Sequence, residues 1–165
     1  MRVEFNQLPN DARVWVYAAS QALSVPQKEL IQASADKFTD EWTAHQMPIS
    51  ASFKIINDVF LVFAADLSKH DISGCGIDKS IHLVQQWEQQ LGINLFNRLQ
   101  IEFEQNGKIA FGTKGKVAEL LANNAINHQT LFYNKLVTNV GELNTQFCIP
   151  LVNSWVNKQL PKLTV

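Results

Sequence analysis

The sequence is poor in the residues that cross-link small proteins or bind metals. Its 165 residues contain two cysteines, Cys75 and Cys148. They lie far apart in the chain, and neither belongs to a Cys/His spacing typical of zinc sites. The sequence therefore predicts no disulfide framework and no metal site, and nothing in it requires a cofactor. Unpaired thiols are typical of a reducing compartment, so we expect a cytoplasmic protein.

Basic clusters and long apolar runs are also missing. The net charge is -1, and no run of Lys and Arg supplies the electrostatic attraction on which nucleic-acid binding depends. No segment approaches the ~20 apolar residues of a membrane span, and residues 1–6 lack the apolar region of a signal peptide. We therefore expect neither nucleic acid nor a membrane among the partners.

The composition is that of an ordinary globular protein, with 46% hydrophobic and 18% charged residues. A chain of this length buries a core without help from disulfides or metals. We interpret residues 1–165 as one α+β domain.

Hydrophobic periodicity divides the chain into strands and helices. Strands are predicted at residues 13–18, 50–56, 59–66, 99–104, 108–111 and 130–133. Helices are predicted from the capping box at Ser24 and Gln27 to about His45, and over residues 77–91, 116–124 and 147–159. The pairs Asn57-Asp58 and Asn106-Gly107 predict tight turns between antiparallel strands.

The first six elements follow the order strand, helix, strand, strand, helix, strand. This order is typical of a ferredoxin-like βαββαβ core, in which two helices cover one face of an antiparallel sheet. Right-handed crossovers would place strands 13–18 and 59–66 side by side in its centre. The remaining residues are predicted to form a C-terminal hairpin and helical extension.

Trp15 and Tyr17 share one side of the first strand, and two interpretations are open. On a sheet face that the helices leave uncovered, they would form with Phe60 or Phe63 a stacking platform for bases, as in RNA-recognition modules. The signature run of those modules is absent here. Alternatively, the C-terminal elements cover that face and the aromatic side chains become core.

The loop Ser73-Gly74-Cys75-Gly76-Ile77-Asp78 is the first candidate site, because it lies where a buried strand leads into an amphipathic helix. A thiol near a helix N-terminus favours the nucleophilic thiolate. The flanking glycines allow close approach of a substrate, and the N–H groups of Gly76 and Ile77 would form an oxyanion site. The alternative is that Cys75 is a small packed residue in a turn.

His45 and Asp66 are candidate assistants of Cys75, as a base and the group that orients it. Alternatively, Asp66 caps the loop that follows it and His45 hydrogen-bonds the end of its helix. Asp78 is interpreted first as the N-cap of the second helix and otherwise, with Ser73, Gly74 and Gly76, as part of a ligand site.

Two isolated arginines, Arg13 and Arg98, are candidates for bidentate binding of an anionic ligand. The alternative for each is a surface salt bridge.

These features together resemble a family of bacterial proteins of unknown function that often carry the automatic label "ABC transporter ATPase". The loop Ser73-Gly74-Cys75 with Ile77 and Asp78 is the most specific part of the likeness, although the family often has Ser where this chain has Gly76. The other residues that carry the likeness are 13–17, 42–45, 60–62, Asp66, Arg98, 136–137 and 154–155.

The label implies ATP hydrolysis, which requires a phosphate-binding loop G-x-x-x-x-G-K-[ST]. The nearest stretch here, Gly112-Thr113-Lys114-Gly115-Lys116-Val117, has neither the spacing nor the hydroxyl for magnesium. We therefore expect no ATPase of this type.

Two functions of different class are predicted. The first is a small-molecule-binding or thiol-dependent protein, with a pocket at Cys75 bordered by His45, Asp66 and Arg98. The second is a non-catalytic interaction domain that binds a partner or a second copy of itself as a homodimer.

Overall fold

The chain forms an α+β fold with antiparallel sheets. The structure, a computed structural model, describes residues 1–71 and 74–160, with the backbone but not the side chain of Cys75. Over these residues the strands are β1 (Arg13–Ala18), β2 (Thr43–Ala44), β3 (Met47–Pro48), β4 (Ala51–Ile56), β5 (Phe60–Ala65), β6 (Ile101–Gln105), β7 (Lys108–Gly112), β8 (Leu131–Tyr133) and β9 (Cys148–Pro150). The helices are α1 (Val25–Glu41), α2 (Gly74–Leu91), α3 (Lys114–Ala122), α4 (Val140–Gln146) and α5 (Trp155–Gln159). Within this part of the chain, no helix is long and apolar enough to cross a membrane.

The first sheet has the antiparallel order β1-β5-β4, with β5 in the middle. Every residue of β5 is buried, because helices cover one face and the second half of the chain covers the other. The predicted turn at Asn57 and Asp58 is confirmed, with positive φ angles of 53° and 59°. β1 and β5 are neighbours, as predicted, but β1 lies at the edge of this sheet and not in its centre.

The ferredoxin-like topology is not confirmed, because β6 lies elsewhere. In that topology β6 would pair with the free edge of β1, whereas here it lies between β7 and β8 in a second sheet of order β7-β6-β8-β9. Ile101 and Phe103 are buried in a separate core with α3 and α5. Burial of this apolar side explains why β6 joins the second sheet.

The helices cover the sheet face that carries Trp15 and Tyr17. Both side chains pack in one cluster with α1, α2 and Phe63, and Tyr17 meets the Phe63 ring edge-on at 6.5 Å. Of the two interpretations, the uncovered aromatic face is therefore wrong, and the aromatic side chains belong to the core. The C-terminal elements do cover the sheet, but on the opposite face, where Phe60 packs against Tyr133 and Phe147.

Helix α1 ends earlier than its periodicity predicts. It stops at Glu41, and β2 and β3 then form a small hairpin whose turn holds His45 and Gln46 at positive φ angles of 50° and 66°. The placement of His45 in the helix is therefore wrong. Trp42 is buried at the helix end, and the chain turns there so that its indole reaches the core.

The helix predicted over residues 147–159 is also wrong. Residues 148–150 form β9, which pairs with β8, and a 3-10 turn at Leu151–Asn153 separates it from α5. Pro150 lacks the N–H that a helix interior needs, and the Ser154 hydroxyl accepts a hydrogen bond from Asn157 N at 3.3 Å, which starts α5 anew. Pro161, the predicted stop, lies outside the described residues.

The capping box of α1 is confirmed. Ser24 Oγ accepts from Gln27 N at 3.3 Å, and Gln27 Oε1 accepts from Ser24 N at 2.9 Å. Replacing Ser24 with Ala is expected to lower the free energy of unfolding by about 1 kcal/mol, because the backbone N–H of Gln27 loses its acceptor, Ser24 Oγ. Urea unfolding followed by tryptophan fluorescence measures this loss. Ser24→Asp should retain most of the stability, and an equal loss in both variants would contradict the capping role.

Candidate functional site

Cys75 lies in the first turn of α2 and not in a loop before it. Ser73 and the side chain of Cys75 lie outside the described residues. The reactivity predicted for this thiol therefore stays a prediction.

The described candidate residues near Cys75 are Gly74, Gly76 and Asp78, and the contact found for Gly76 joins two helices. The carbonyl of Gly76 accepts a hydrogen bond from the Trp42 indole at 3.0 Å, which joins the start of α2 to the end of α1. A Cβ added at Gly74 would meet no atom within 4 Å, so crowding does not require glycine there. Asp78 is exposed and lies four residues inside the helix. Its prediction as the N-cap is wrong, because α2 begins at Gly74.

His45 and Asp66 do not form a pair. His45 is exposed in the turn between β2 and β3. Asp66 Oδ1 accepts from Ser68 N at 2.9 Å, and this backbone hydrogen bond is the main reason that the pKa of Asp66 is lowered. Asp66 thus caps the loop after β5, as the alternative to a catalytic role predicted. No hydrogen bond or ion pair joins it to His45 among the described residues, and their catalytic roles stay predictions.

The two arginines have different surroundings. The Arg13 guanidinium lies 5.1 Å from the centre of the Trp15 ring, a cation–π distance. Arg98 is exposed and contributes to the wall of a pocket. Neither His45 nor Asp66 is among the described residues that line this pocket.

The pocket, which we call the inter-sheet pocket, has a volume of about 500 Å³. It lies between β1 and the segments 95–102 and 132–138 that flank β6 and β8. In a ferredoxin-like sheet, β6 would lie on this side of β1. Aromatic residues form much of its wall: Trp15, Tyr17, Phe96, Phe132, Tyr133 and Trp155. Such a volume with apolar walls and a few polar groups is typical of small-molecule sites.

Two Asn-stabilised turns carry the residues at the edge of the pocket. Asn97 Oδ1 accepts from Leu99 N at 3.1 Å, and Asn134 Oδ1 accepts from Leu136 N at 3.0 Å. Such Asx turns fix the backbone through the side chain of their first residue. The two turns contain Arg98 and Lys135, and both residues line the pocket.

Glu102, Lys135 and Gln100 form a polar cluster in the pocket wall. Glu102 is fully buried, and its Oε1 accepts from Lys135 Nζ and from Gln100 Nε2, both at 2.8 Å. Lys135 Nζ also donates to the carbonyl of Gln100 at 2.9 Å, while Gln100 Nε2 donates to Ala19 O at 3.0 Å. The cluster therefore ties the end of β1 to β6 and to the Asn134 turn.

The second oxygen of Glu102 is buried. No described residue donates a hydrogen bond to this Oε2 atom. Burial raises the pKa of Glu102, and the opposing attraction of Lys135 is weaker than this desolvation. A buried carboxylate with an unsatisfied oxygen and a raised pKa is typical of functional sites.

Sequence reasoning missed Glu102 and Lys135. Glu102 alternates with Ile101 and Phe103 in the pattern of a strand with one polar side, which normally faces solvent. Only the contact of Glu102 with Lys135, in the Asn134 turn, shows that the polar side of β6 is covered at this position. Gln100 and Lys135 carried no signal in the sequence, whereas Arg98 was found as an isolated arginine.

Other titratable groups are less suited to chemistry. Desolvation and the nearby Glu104 carboxylate raise the pKa of Cys148, which disfavours its thiolate. Within the described part of the chain, no group of three or more His, Cys, Asp and Glu side chains could hold a metal ion.

Comparisons with protein-family models, with curated proteins and with solved structures find no match to this chain. The family resemblance seen in the sequence therefore stays a prediction.

Proposed function

We propose that this protein binds a small, largely apolar molecule in the inter-sheet pocket. The observation that carries the proposal is the pocket of about 500 Å³, with its aromatic wall and the buried Glu102–Lys135 pair. Tyr17 and Phe96 meet edge-on at 5.5 Å and offer a preformed surface for an apolar group. The proposal keeps the small-molecule ligand and Arg98 from the sequence prediction, but it moves the site away from Cys75.

We also propose that the pocket takes the place of the fourth strand of a ferredoxin-like sheet. Two features support this relation: β1, β5 and β4 have the order of that fold, and β6 follows α2 where the fourth strand is expected. Val14 N donates to Thr138 O at 3.0 Å on the side of β1 away from β5. Because alternate residues of an edge strand point the same way, the peptide groups of Val16 are directed to that side as well. They are available to a bound ligand.

A set of aromatic probes with different charges tests the proposed function. Indole, phenylacetate, phenylacetamide and phenethylamine are titrated separately into ¹⁵N-labelled protein. We expect at least one probe to shift amide signals in residues 14–18, 96–102 and 132–138. Shifts confined to other parts of the chain, or none with any probe, would contradict the proposal.

Two exposed leucines provide a matched pair of variants. Leu136 lines the pocket, whereas Leu99, at 78% exposure, lies in the Asn97 turn and does not. Leu136→Ala is expected to weaken binding of a probe about five-fold, because it removes apolar surface from the site. Leu99→Ala should leave the dissociation constant unchanged. Equal effects of both substitutions would place binding outside the pocket.

The thiol-dependent activity, the homodimer, the cytoplasmic location and the organisation as one domain stay predictions from the sequence. None of them is needed for binding in the inter-sheet pocket.

A further inference from the structure

The positive charges around the inter-sheet pocket are accessible to a ligand, whereas the negative charge is buried. Arg98 is exposed and takes part in no ion pair with another described residue, and the Lys135 side chain retains 21% exposure. Glu102, the only carboxylate among the described lining residues, is fully buried. A ligand therefore meets two cations first. A guanidinium binds a carboxylate through two parallel hydrogen bonds.

Lys135 lines the pocket and also binds the buried carboxylate of Glu102. Its ammonium group has three N–H donors, and the structure shows bonds to Glu102 Oε1 and to the carbonyl of Gln100. A ligand carboxylate beside Lys135 would compete with Glu102 for this one cation. Two carboxylates that share a site do not both keep their charge easily, and one of them takes up a proton.

We propose that the ligand is an organic carboxylate, and that its binding is coupled to the uptake of one proton by Glu102. The inference rests on the proposed function. The proton comes from solvent and adds to Oε2, the oxygen to which no described residue donates a hydrogen bond. Lys135 then directs its charge to the ligand while Gln100 keeps its bond to Oε1.

The other titratable groups around Glu102 do not compete for this role. Tyr17 of β1 and Tyr133 of β8 line the pocket, and burial raises the pKa of both phenols, which keeps them neutral. Arg98 and Lys135 are the basic residues among the described residues that line the pocket. Glu104 follows on the same side of β6, and its charge acts on Tyr133 and Cys148. The raised pKa of Glu102 supports its assignment as the group that takes up the proton.

Isothermal titration calorimetry of the full chain tests the coupling. Phenylacetate is titrated near neutral pH in two buffers of different ionisation enthalpy, with phenylacetamide as the uncharged control. We expect net proton uptake with phenylacetate, approaching one proton per site, and none with the amide. The affinity for phenylacetate should fall as pH rises, by up to about ten-fold per pH unit where the coupling is complete.

Three variants assign the effect to residues. Glu102→Gln keeps the shape of the side chain and should remove both proton uptake and the pH dependence. Arg98→Gln should weaken phenylacetate at least about ten-fold and leave phenylacetamide unchanged. Arg13→Gln, a matched arginine that does not line the pocket, should have no effect. The number of protons taken up per bound phenylacetate is measured on the wild-type protein, so it tests the coupling even if Glu102→Gln fails to fold.

Each outcome separates the inference from the proposed function. Binding of phenylacetate without proton exchange overturns the coupling, and binding of indole or phenethylamine but not phenylacetate overturns the carboxylate class. In both cases a pocket that binds a small molecule remains. If no probe binds, the proposed function fails as well.

Discussion

Lys135→Met is expected to lower the free energy of unfolding by about 3–5 kcal/mol at neutral pH, because it leaves the carboxylate of Glu102 buried without its cation. Glu102 has no exposed surface, and Lys135 Nζ lies 2.8 Å from its Oε1. Chemical unfolding at neutral and acidic pH measures this loss. A loss below about 1 kcal/mol at neutral pH would show that the pair is not a structural element.

The loss should depend on pH in a definite direction. Burial raises the pKa of Glu102 in the folded protein, so the folded state holds this proton more tightly than the unfolded chain does. The contribution of Glu102 to stability is then fully present below its unfolded pKa and is lost as pH rises through its folded pKa. Lys135 opposes the rise in pKa, and without it the total loss becomes larger and extends to higher pH. Lys135→Met should therefore cost much less at about pH 4 than at neutral pH.

Two comparisons isolate the buried charge. Glu102→Leu combined with Lys135→Met removes both charges and should recover most of the stability. Lys116→Met breaks an exposed pair with Glu119, whose separation is 3.7 Å, and should change stability by less than about 1 kcal/mol. An equal cost of Lys135→Met at both pH values would show that lost packing, not an unpaired carboxylate, is responsible.

Trp87→Ala is expected to remove about 3–5 kcal/mol of stability, because it opens a large cavity in the helix-covered core. Trp87 has no exposed surface and stacks parallel to Phe63, with ring centres 5.9 Å apart. Its ring also contacts Phe53 at 5.7 Å, and its Nε1 donates to Ser34 Oγ at 2.8 Å. The loss is a large part of the roughly 5–15 kcal/mol that stabilises a typical domain.

The controls for Trp87 separate volume from hydrogen bonding. Trp87→Phe keeps an aromatic ring in the core and loses the bond to Ser34, so we expect a smaller loss of about 1–2 kcal/mol. Leu99→Ala, on an exposed turn, should stay within about 0.5 kcal/mol of the parent. Far-UV circular dichroism during guanidinium unfolding measures all three without depending on tryptophan emission. Similar losses for Trp87→Ala and Trp87→Phe would contradict the cavity argument.

The local features of the fold follow from short stretches of sequence. The capping box at Ser24, the Asn57-Asp58 turn and the Asn106-Gly107 turn are found where they were predicted. Each depends on residues that are neighbours in the chain, such as those that tolerate positive φ angles. The apolar spacing of Val84, Trp87 and Leu91 likewise depends only on the helical period and locates α2.

Features at the ends of elements were harder to predict. His45 continues the apolar spacing of α1, yet the helix stops at Glu41 because Trp42 is buried and the chain enters a hairpin. The same limitation applies to residues 148–150, whose pairing with β8 outweighs their helical spacing. Periodicity shows which residues lie on the same side of an element. It does not show where the element ends, because the end depends on contacts with other elements.

The sequence by itself determined the α+β composition, the main turns and the start of α1, and it indicated Arg98 as a candidate ligand-binding residue. Only the tertiary structure decided that β6 leaves the edge of β1, and that Glu102 is buried beside Lys135. The physical reason is that both depend on contacts between segments distant in the chain, such as the pairing of Phe103 with Phe132 and the 2.8 Å bond from Lys135 to Glu102. Alternation along a strand shows that its two sides differ, but the burial of a side depends on the elements that pack against it.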